Sequence, residues 1–309
     1  MAERLDWTRD GRDWPHREAS QFVEAGGVRW HVQRFSRDVS ATQATGPAPL
    51  ALLLHGTGAS GHSWVPMLPW LRQHFDVMTV DLPGHAFSSL PAARQSTLPG
   101  MAQAAGALLQ SLGAQPEVVI GHSAGAALGA RMCLDGHVKP GLLISLNGAF
   151  LPLGGLAGVV FPPVAKVMAA LPFAPRFFAG QASDPRSVER LIDSTGSTLD
   201  AEGRAFYARL VRNPGHVAGA LAMMANWDVN PLLRDLPRLA PRLVLVVADK
   251  DLTVPPAQGT RVRSMWPDPS AVELHRLKGL GHLAHEEDPA QVAALCIEAA
   301  RAAGVFAPH

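Results

Sequence analysis

Seven short runs of apolar residues recur along the chain: VRWHVQRF (28–35), LALLLHG (50–56), DVMTVDLPG (76–84), EVVIGHS (117–123), GLLISLN (141–147), PRLVLVVAD (241–249) and AVELHRL (271–277). The central runs are apolar at nearly every position, which is the pattern of strands covered by helices on both faces rather than on one. VRWHVQRF reads as an edge strand and LALLLHG as a central one. The segments between them, HSWVPMLPWLRQH, LPGMAQAAGALLQSLG, AGAALGARMCLDG and finally DPAQVAALCIEAARAAG, are compatible with helices. Such alternation predicts the α/β class, with a mostly parallel, doubly wound sheet.

From about residue 149 to 228 the strand pattern stops and helical spacing takes over. SDPRSVERLIDSTG, with Ser183 in the N-cap position ahead of a Pro-containing first turn, DAEGRAFYARLVRN and HVAGALAMMANW all read as helices. An insertion at that point predicts a helical cap (149–228) over one end of a core made of 21–148 and 229–309. Residues 1–20 are expected to be a loosely ordered N-terminal extension.

Composition narrows the function. The chain has 309 residues, 47% hydrophobic and 17% charged, with a formal net charge of +1, so it can bury a large core but carries no basic field for nucleic acid. Cys133 and Cys296 form no CxxC or Cys/His cluster, and the charged first twenty residues lack the apolar region of a signal peptide. A reduced, cytoplasmic setting is expected. No charged residue occurs between Gly141 and Ala165, but three prolines, five glycines and Asn147 in that stretch argue against a membrane-spanning helix and for at most peripheral membrane contact.

The chemistry starts at GHSAG (121–125), a G-x-S-x-G placed between a predicted strand and a predicted helix. Its bland reading is a Gly-rich turn with an incidental serine. As a nucleophile, Ser123 requires a base and an acid to orient that base. Of the 13 histidines, His282 in KGLGHLAHEEDP directly follows the last predicted strand, and Asp251 in LVLVVADKDLTVPP follows the strand before it. The order Ser, Asp, His is the one expected of a nucleophile elbow. Asp249 is the rival acid. His285 is the rival base, although it is expected to begin the helix capped by Asp288 with Pro289 in its first turn. His282 and His285 lack further ligands at metal-site spacing, so no metal and no organic cofactor is expected. LLHGTGAS (53–60) offers a Gly-rich loop from which the Thr57 N–H, with the Ala124 N–H, can serve as an oxyanion hole. Asp81, His85 and His122 read as supporting residues.

Together these motifs resemble the α/β-hydrolase superfamily over residues 20–305. RDWPHREASQFVEAGGVRWHVQRF, LLLHGTGASGHSW, LPGMA, GHSAGAAL, LIDSTGS, MMANWD, DLPRL and GLGHLAHEE resemble in particular its BchO-type group, whose members are named as magnesium chelatase accessory proteins of bacteriochlorophyll synthesis. The resemblance implies a role near magnesium insertion into protoporphyrin IX, with magnesium chelatase as a partner. Ala86 departs from the pattern, which commonly has glycine there. Two functions follow. In one, the chain is a serine hydrolase acting on an ester or related acyl group of a bulky apolar molecule such as a tetrapyrrole, with Phe150, Phe161, Met224 and Trp227 lining the pocket unless they form the cap's own core. In the other, it is an accessory porphyrin-binding protein whose triad is idle.

Overall fold

A computed structural model describes residues 3–39, 46–152, 166–171 and 173–306. Eight strands form one sheet: β1 (Ser20–Ala25), β2 (Val28–Phe35), β3 (Leu50–Leu54), β4 (Asp76–Val80), β5 (Val118–His122), β6 (Leu142–Leu146), β7 (Arg242–Ala248) and β8 (Glu273–Leu277). Their order is β1-β2-β4-β3-β5-β6-β7-β8. The pairs from β4 through β8 are parallel, and β1–β2 and β2–β4 are antiparallel.

All seven expected strands form, and an eighth precedes them. VRWHVQRF is not an edge strand, because SQFVEA pairs with its outer side. The two are joined at Gly26 and Gly27, both at positive φ (59° and 76°), in a two-residue hairpin turn that needs residues without a Cβ penalty. The polar content of SQFVEA hides it from a search for apolar runs.

Period-two alternation within the buried strands builds two cores, one on each face. Leu52, Leu54, Val119, Leu143 and Leu245 pack against helices Leu98–Ser111 and Ala124–Leu134. Leu53, Ile120, Ile144 and Val246 point the other way, onto Trp64, Met67 and Leu71 and onto Val292 and Cys296 of helix Pro289–Ala302. Pro66 and Pro69 restrict HSWVPMLPWLRQH to a 3-10 stretch, Gly61–Met67, and a single α-turn, Leu68–Leu71.

Between β6 and β7 lie helices Ala174–Gln181, Pro185–Asp193, Ala201–Val211, Pro214–Asn226 and Asn230–Asp235. Asp184, not Ser183, caps the second of these, accepting a hydrogen bond from the Arg186 amide with Pro185 following it. The expected cap residue is one position too early. Val188, Ile192, Leu199 and Tyr207 of this insertion form a small cluster with Ala59 and Leu283, which lie on loops at the carboxyl edge of the sheet.

Residues 3–19, expected to be loose, are packed against the rest of the chain. Trp14 is buried among Ala86, Phe87 and Leu210, the Gly215 amide donates to the Glu3 carbonyl at 2.8 Å, and Arg209 pairs with Asp13 at 2.6 Å. The segment is tied to the inserted helices, a tertiary contact that its charged composition conceals. Among the described residues no helix is long and apolar enough to cross a membrane; part of the uncharged stretch, 153–165, lies outside them.

Candidate active site

Because β3, β5, β7 and β8 run parallel, the loops that follow them open at the same edge of the sheet. Thr57, Ser123, Asp251 and His282 are on those four loops.

Ser123 sits where β5 turns into helix Ala124–Leu134, at φ 53° and ψ −119°. A non-glycine residue there is strained by roughly 1–3 kcal/mol, and the strain persists only where its surroundings enforce it. The flanking glycines show how. A Cβ on Gly125 would lie 2.1 Å from the Leu54 carbonyl oxygen, and one on Gly121 would lie 2.4 Å from the Ala126 Cα. Only glycine lets the helix start this close to β3 and β5. The Ser123 amide donates to the Leu146 carbonyl at 3.0 Å, and the Ser123 carbonyl accepts from the Ala149 amide at 3.0 Å.

Asp251 and His282 are both buried and are joined at 2.7 Å between Oδ2 and Nδ1. The other carboxylate oxygen accepts from the Thr253 and Val254 amides at 2.8 and 2.7 Å. A carboxylate facing Nδ1 keeps that nitrogen protonated and leaves the lone pair on Nε2. No hydrogen bond joins Nε2 to the Ser123 hydroxyl in this structure. Both rivals are placed elsewhere: Asp249 is exposed and accepts from the Gly279 amide. His285 stacks on Trp64 and His122, at 4.7 and 4.5 Å between centroids, with no hydrogen-bond partner on either nitrogen. Burial, helped by the neighbouring His282, pushes its pKa down to about 3, so it stays neutral. Asp288 caps the expected helix, Pro289–Ala302, but His285 does not begin it; it lies in a separate short turn of helix, Ala284–Glu287.

The main chain of His282 is fixed from three directions. Its amide donates to the Thr195 carbonyl at 3.2 Å, and its carbonyl accepts from His122 Nε2 and from Asn147 Nδ2, each at 2.9 Å. Asn147 also accepts from the Ala248 amide at 2.8 Å and donates to the Gly281 carbonyl at 3.1 Å. It thus ties the ends of β6 and β7 to the His282 loop. Its own φ is 46°, a region asparagine tolerates better than most residues. Thr195, at the end of an inserted helix, accepts from the Leu252 amide as well. Gly196 is pressed against the Lys250 carbonyl and Gly281 against Gly196, so the TGS turn wedges between the Asp251 and His282 loops. Sequence reasoning overlooked Asn147 and Thr195. An Asn-Gly pair ending a buried strand was a readable signal for Asn147; nothing local marks Thr195.

The amides of Thr57 and Ala124 have no acceptor among the described residues. They remain available as donors beside Ser123, where the Cβ that Gly56 lacks would meet the serine Cβ at 2.9 Å. Thr57 is also held by its hydroxyl against Met223 Sδ at 3.5 Å. Below the site, Asp81 accepts from the Gly61 amide and pairs with His31 at 2.8 Å. Burial alone would raise the pKa of Asp81, but His31 and the amide outweigh it and bring it to about 2. Ala86 adopts φ 38°, the conformation for which glycine is usual, and its amide donates to His216 at 3.0 Å.

Of the expected pocket residues, Phe150 is only 1% exposed and belongs to the larger core, and Trp227 packs against that same core. Met224 is half-buried on helix Pro214–Asn226. Phe161 lies outside the described residues. A surface depression of about 690 Å³ is lined by Pro241, Arg242, Trp266 and Glu273 at the amino end of β7 and β8, the opposite edge from Ser123. Among the described residues no group of three His, Cys, Asp or Glu side chains could hold a metal ion.

Comparison with known proteins agrees with this architecture. The alpha/beta hydrolase family matches residues 51–295. The magnesium-chelatase 30 kDa subunit of Rhodobacter capsulatus is 38% identical over 276 residues, spanning 89% of this chain and 92% of that protein. Among solved structures, an alpha/beta hydrolase fold protein from Burkholderia ambifaria superposes with a TM-score of 0.71 at 19% identity, covering 96% of this chain and 100% of that one. A thermophilic esterase from Thermogutta terrifontis gives 0.68 at 20%, covering 92% and 99%. These two likenesses concern the fold. The chain belongs to the alpha/beta hydrolase family and, within it, to the BchO-type group represented by the Rhodobacter capsulatus subunit.

Proposed function

We propose that this protein is a serine hydrolase for an ester or related acyl group on a bulky apolar substrate, working in bacteriochlorophyll synthesis beside magnesium chelatase. The observation that carries the reading is the buried Asp251–His282 pair, 2.7 Å long, on the same sheet edge as a strained Ser123. His282 Nε2 takes the hydroxyl proton as Ser123 Oγ attacks the carbonyl carbon. The Thr57 and Ala124 amides hold the oxyanion, a contribution of about a hundredfold or more per donor. Collapse of the tetrahedral species expels the alcohol or thiol, which takes the proton from His282. Water, deprotonated by the same nitrogen, then cleaves the acyl-serine. Closing the Nε2–Oγ hydrogen bond is assigned to substrate binding, as catalytic contacts often tighten only in the complex. Residues 149–228 act as the cap, over a core of 21–148 and 229–309, and Met224 faces the substrate from it.

A fluorophosphonate probe tests the reading. Wild-type protein is expected to be labelled and Ser123→Ala, equally folded, is not. Absence of labelling in folded wild-type protein would favour the second reading, an accessory protein that holds a porphyrin or the chelatase with its triad idle. Two observations support that alternative: no hydrogen bond joins the Ser123 hydroxyl to His282, and a relative at 38% identity is named a chelatase subunit. A porphyrin titration followed by Soret shift and tryptophan quenching tests it directly.

A further inference from the structure

Apolar side chains on a folded surface normally occur singly. Here Val167, Phe173, Phe177 and Phe178 are 58, 62, 56 and 40% exposed within twelve positions of one another. The last two stand on helix Ala174–Gln181, edge to face at 5.7 Å. That helix already spends its inner face, Ala174, Pro175 and Ala179, on packing, so the phenylalanines are what remains outside. Lys166 and Arg176 are exposed among them and have no carboxylate partner among the described residues. The sequence deepens the bias, because no Asp or Glu occurs anywhere between Asp135 and Asp184.

We infer that this face docks peripherally on an anionic phospholipid bilayer. Phenylalanine enters the boundary between headgroups and acyl chains, and neighbouring Lys and Arg are attracted to the negative surface. The charge distribution decides against the obvious rival, a second copy of the chain. A symmetric dimer through this patch would bring Lys166 and Arg176 of one protomer towards their equivalents with no acidic residue of the segment to offset them. The location has a consequence. Helix Ala174–Gln181 packs on helix Pro214–Asn226, which places Met223 against Thr57 at the sheet edge. A bilayer bound at the patch would therefore supply apolar molecules close to the loops that carry Ser123. The inference does not depend on whether Ser123 reacts.

The test is co-sedimentation of the full chain with vesicles of phosphatidylcholine alone or mixed with phosphatidylglycerol. Wild type is expected to partition at least tenfold more strongly onto the mixed vesicles, in the Ser123→Ala background as well. Phe173→Ser/Phe177→Ser/Phe178→Ser should lower that partition tenfold or more, and Lys166→Gln/Arg176→Gln should abolish the preference for phosphatidylglycerol. Both variants should keep wild-type melting and fluorophosphonate labelling. Failure of wild type to sediment with either vesicle overturns the inference, as does equal sedimentation of the triple variant. Two other results also overturn it: a wild-type dimer by light scattering that the triple variant dissociates, or a large loss of melting temperature in the triple variant, which would place these side chains against the protein itself.

Discussion

At the carboxyl edge of the sheet the backbone of His282 is held by hydrogen bonds to the Thr195 carbonyl and from His122 and Asn147, while a few elements away four large apolar side chains of residues 167–178 face outward. The first region is over-determined. Its strained serine, its left-handed asparagine and its buried carboxylate persist because several strands end there together. The second is held by little more than small buried residues on one helix face, Ala174, Pro175 and Ala179. The difference teaches that a close arrangement of polar side chains is kept by contacts among the ends of parallel strands, whereas an apolar face on a single helix can stay exposed without disturbing it.

The comparison can be broken most decisively at Asp251. Asp251→Asn should leave the fold intact yet lower the rate of acyl transfer by about a thousandfold or more, because the amide no longer holds Nδ1–H and its lone pair on Nε2. Asp249→Asn should be close to wild type. Steady-state hydrolysis of a chromogenic ester by both variants checks this, and equal losses would remove the distinction drawn between the two acids.

A smaller effect is expected at Asn147. Asn147→Ala removes three hydrogen bonds at the junction of β6, β7 and the His282 loop and leaves alanine at positive φ. A rate loss of roughly tenfold to a hundredfold should accompany a stability loss of about 2–4 kcal/mol, estimated from the lost bonds and the backbone strain. The activity–pH profile should broaden or move as His282 loses its fixed orientation. An unchanged profile with unchanged rate would show that Asn147 only supports the fold.

The mildest test uses acidity. Burial pushes His62, His216 and His285 down to about 3, 4 and 3. An unfolded histidine takes up a proton near pH 6.5 while these folded ones do not, so stability is complete above that pH and falls as the pH drops towards 4. His285→Phe, which keeps the stack on Trp64, should reduce the slope by up to about 1.4 kcal/mol per pH unit, read from denaturant titrations at pH 6 and 5. Glu286 works from the other side. Burial raises it to about 8, against the Tyr207 hydrogen bond, so stability is lost as the pH rises from about 4.5 through 8, and Glu286→Gln should flatten that limb.

Much of this was legible along the chain. The central strands announced themselves as apolar runs because both of their faces are covered, and GHSAG could be read as an elbow because its glycines answer a local steric demand. SQFVEA escaped because an edge strand needs only modest burial, and its evidence was a Gly-Gly turn rather than a hydrophobic pattern. The order of the amino-terminal segment escaped because Trp14 and Asp13 gain their partners, Leu210 and Arg209, from nearly two hundred residues away.

By itself the sequence determined the α/β alternation, the placing of Ser123, Asp251 and His282 each just after a strand, and the acid-free character of residues 136–183. These are properties of spacing and residue type, which short-range physics is enough to express. Only the tertiary structure decided that Asp251 and not Asp249 meets the histidine, that His285 is sealed into an aromatic stack, and that Asn147 and Thr195 clamp the His282 loop. Each of those choices is settled by which distant groups arrive within about 3 Å once the strands are aligned, and no local pattern encodes that distance.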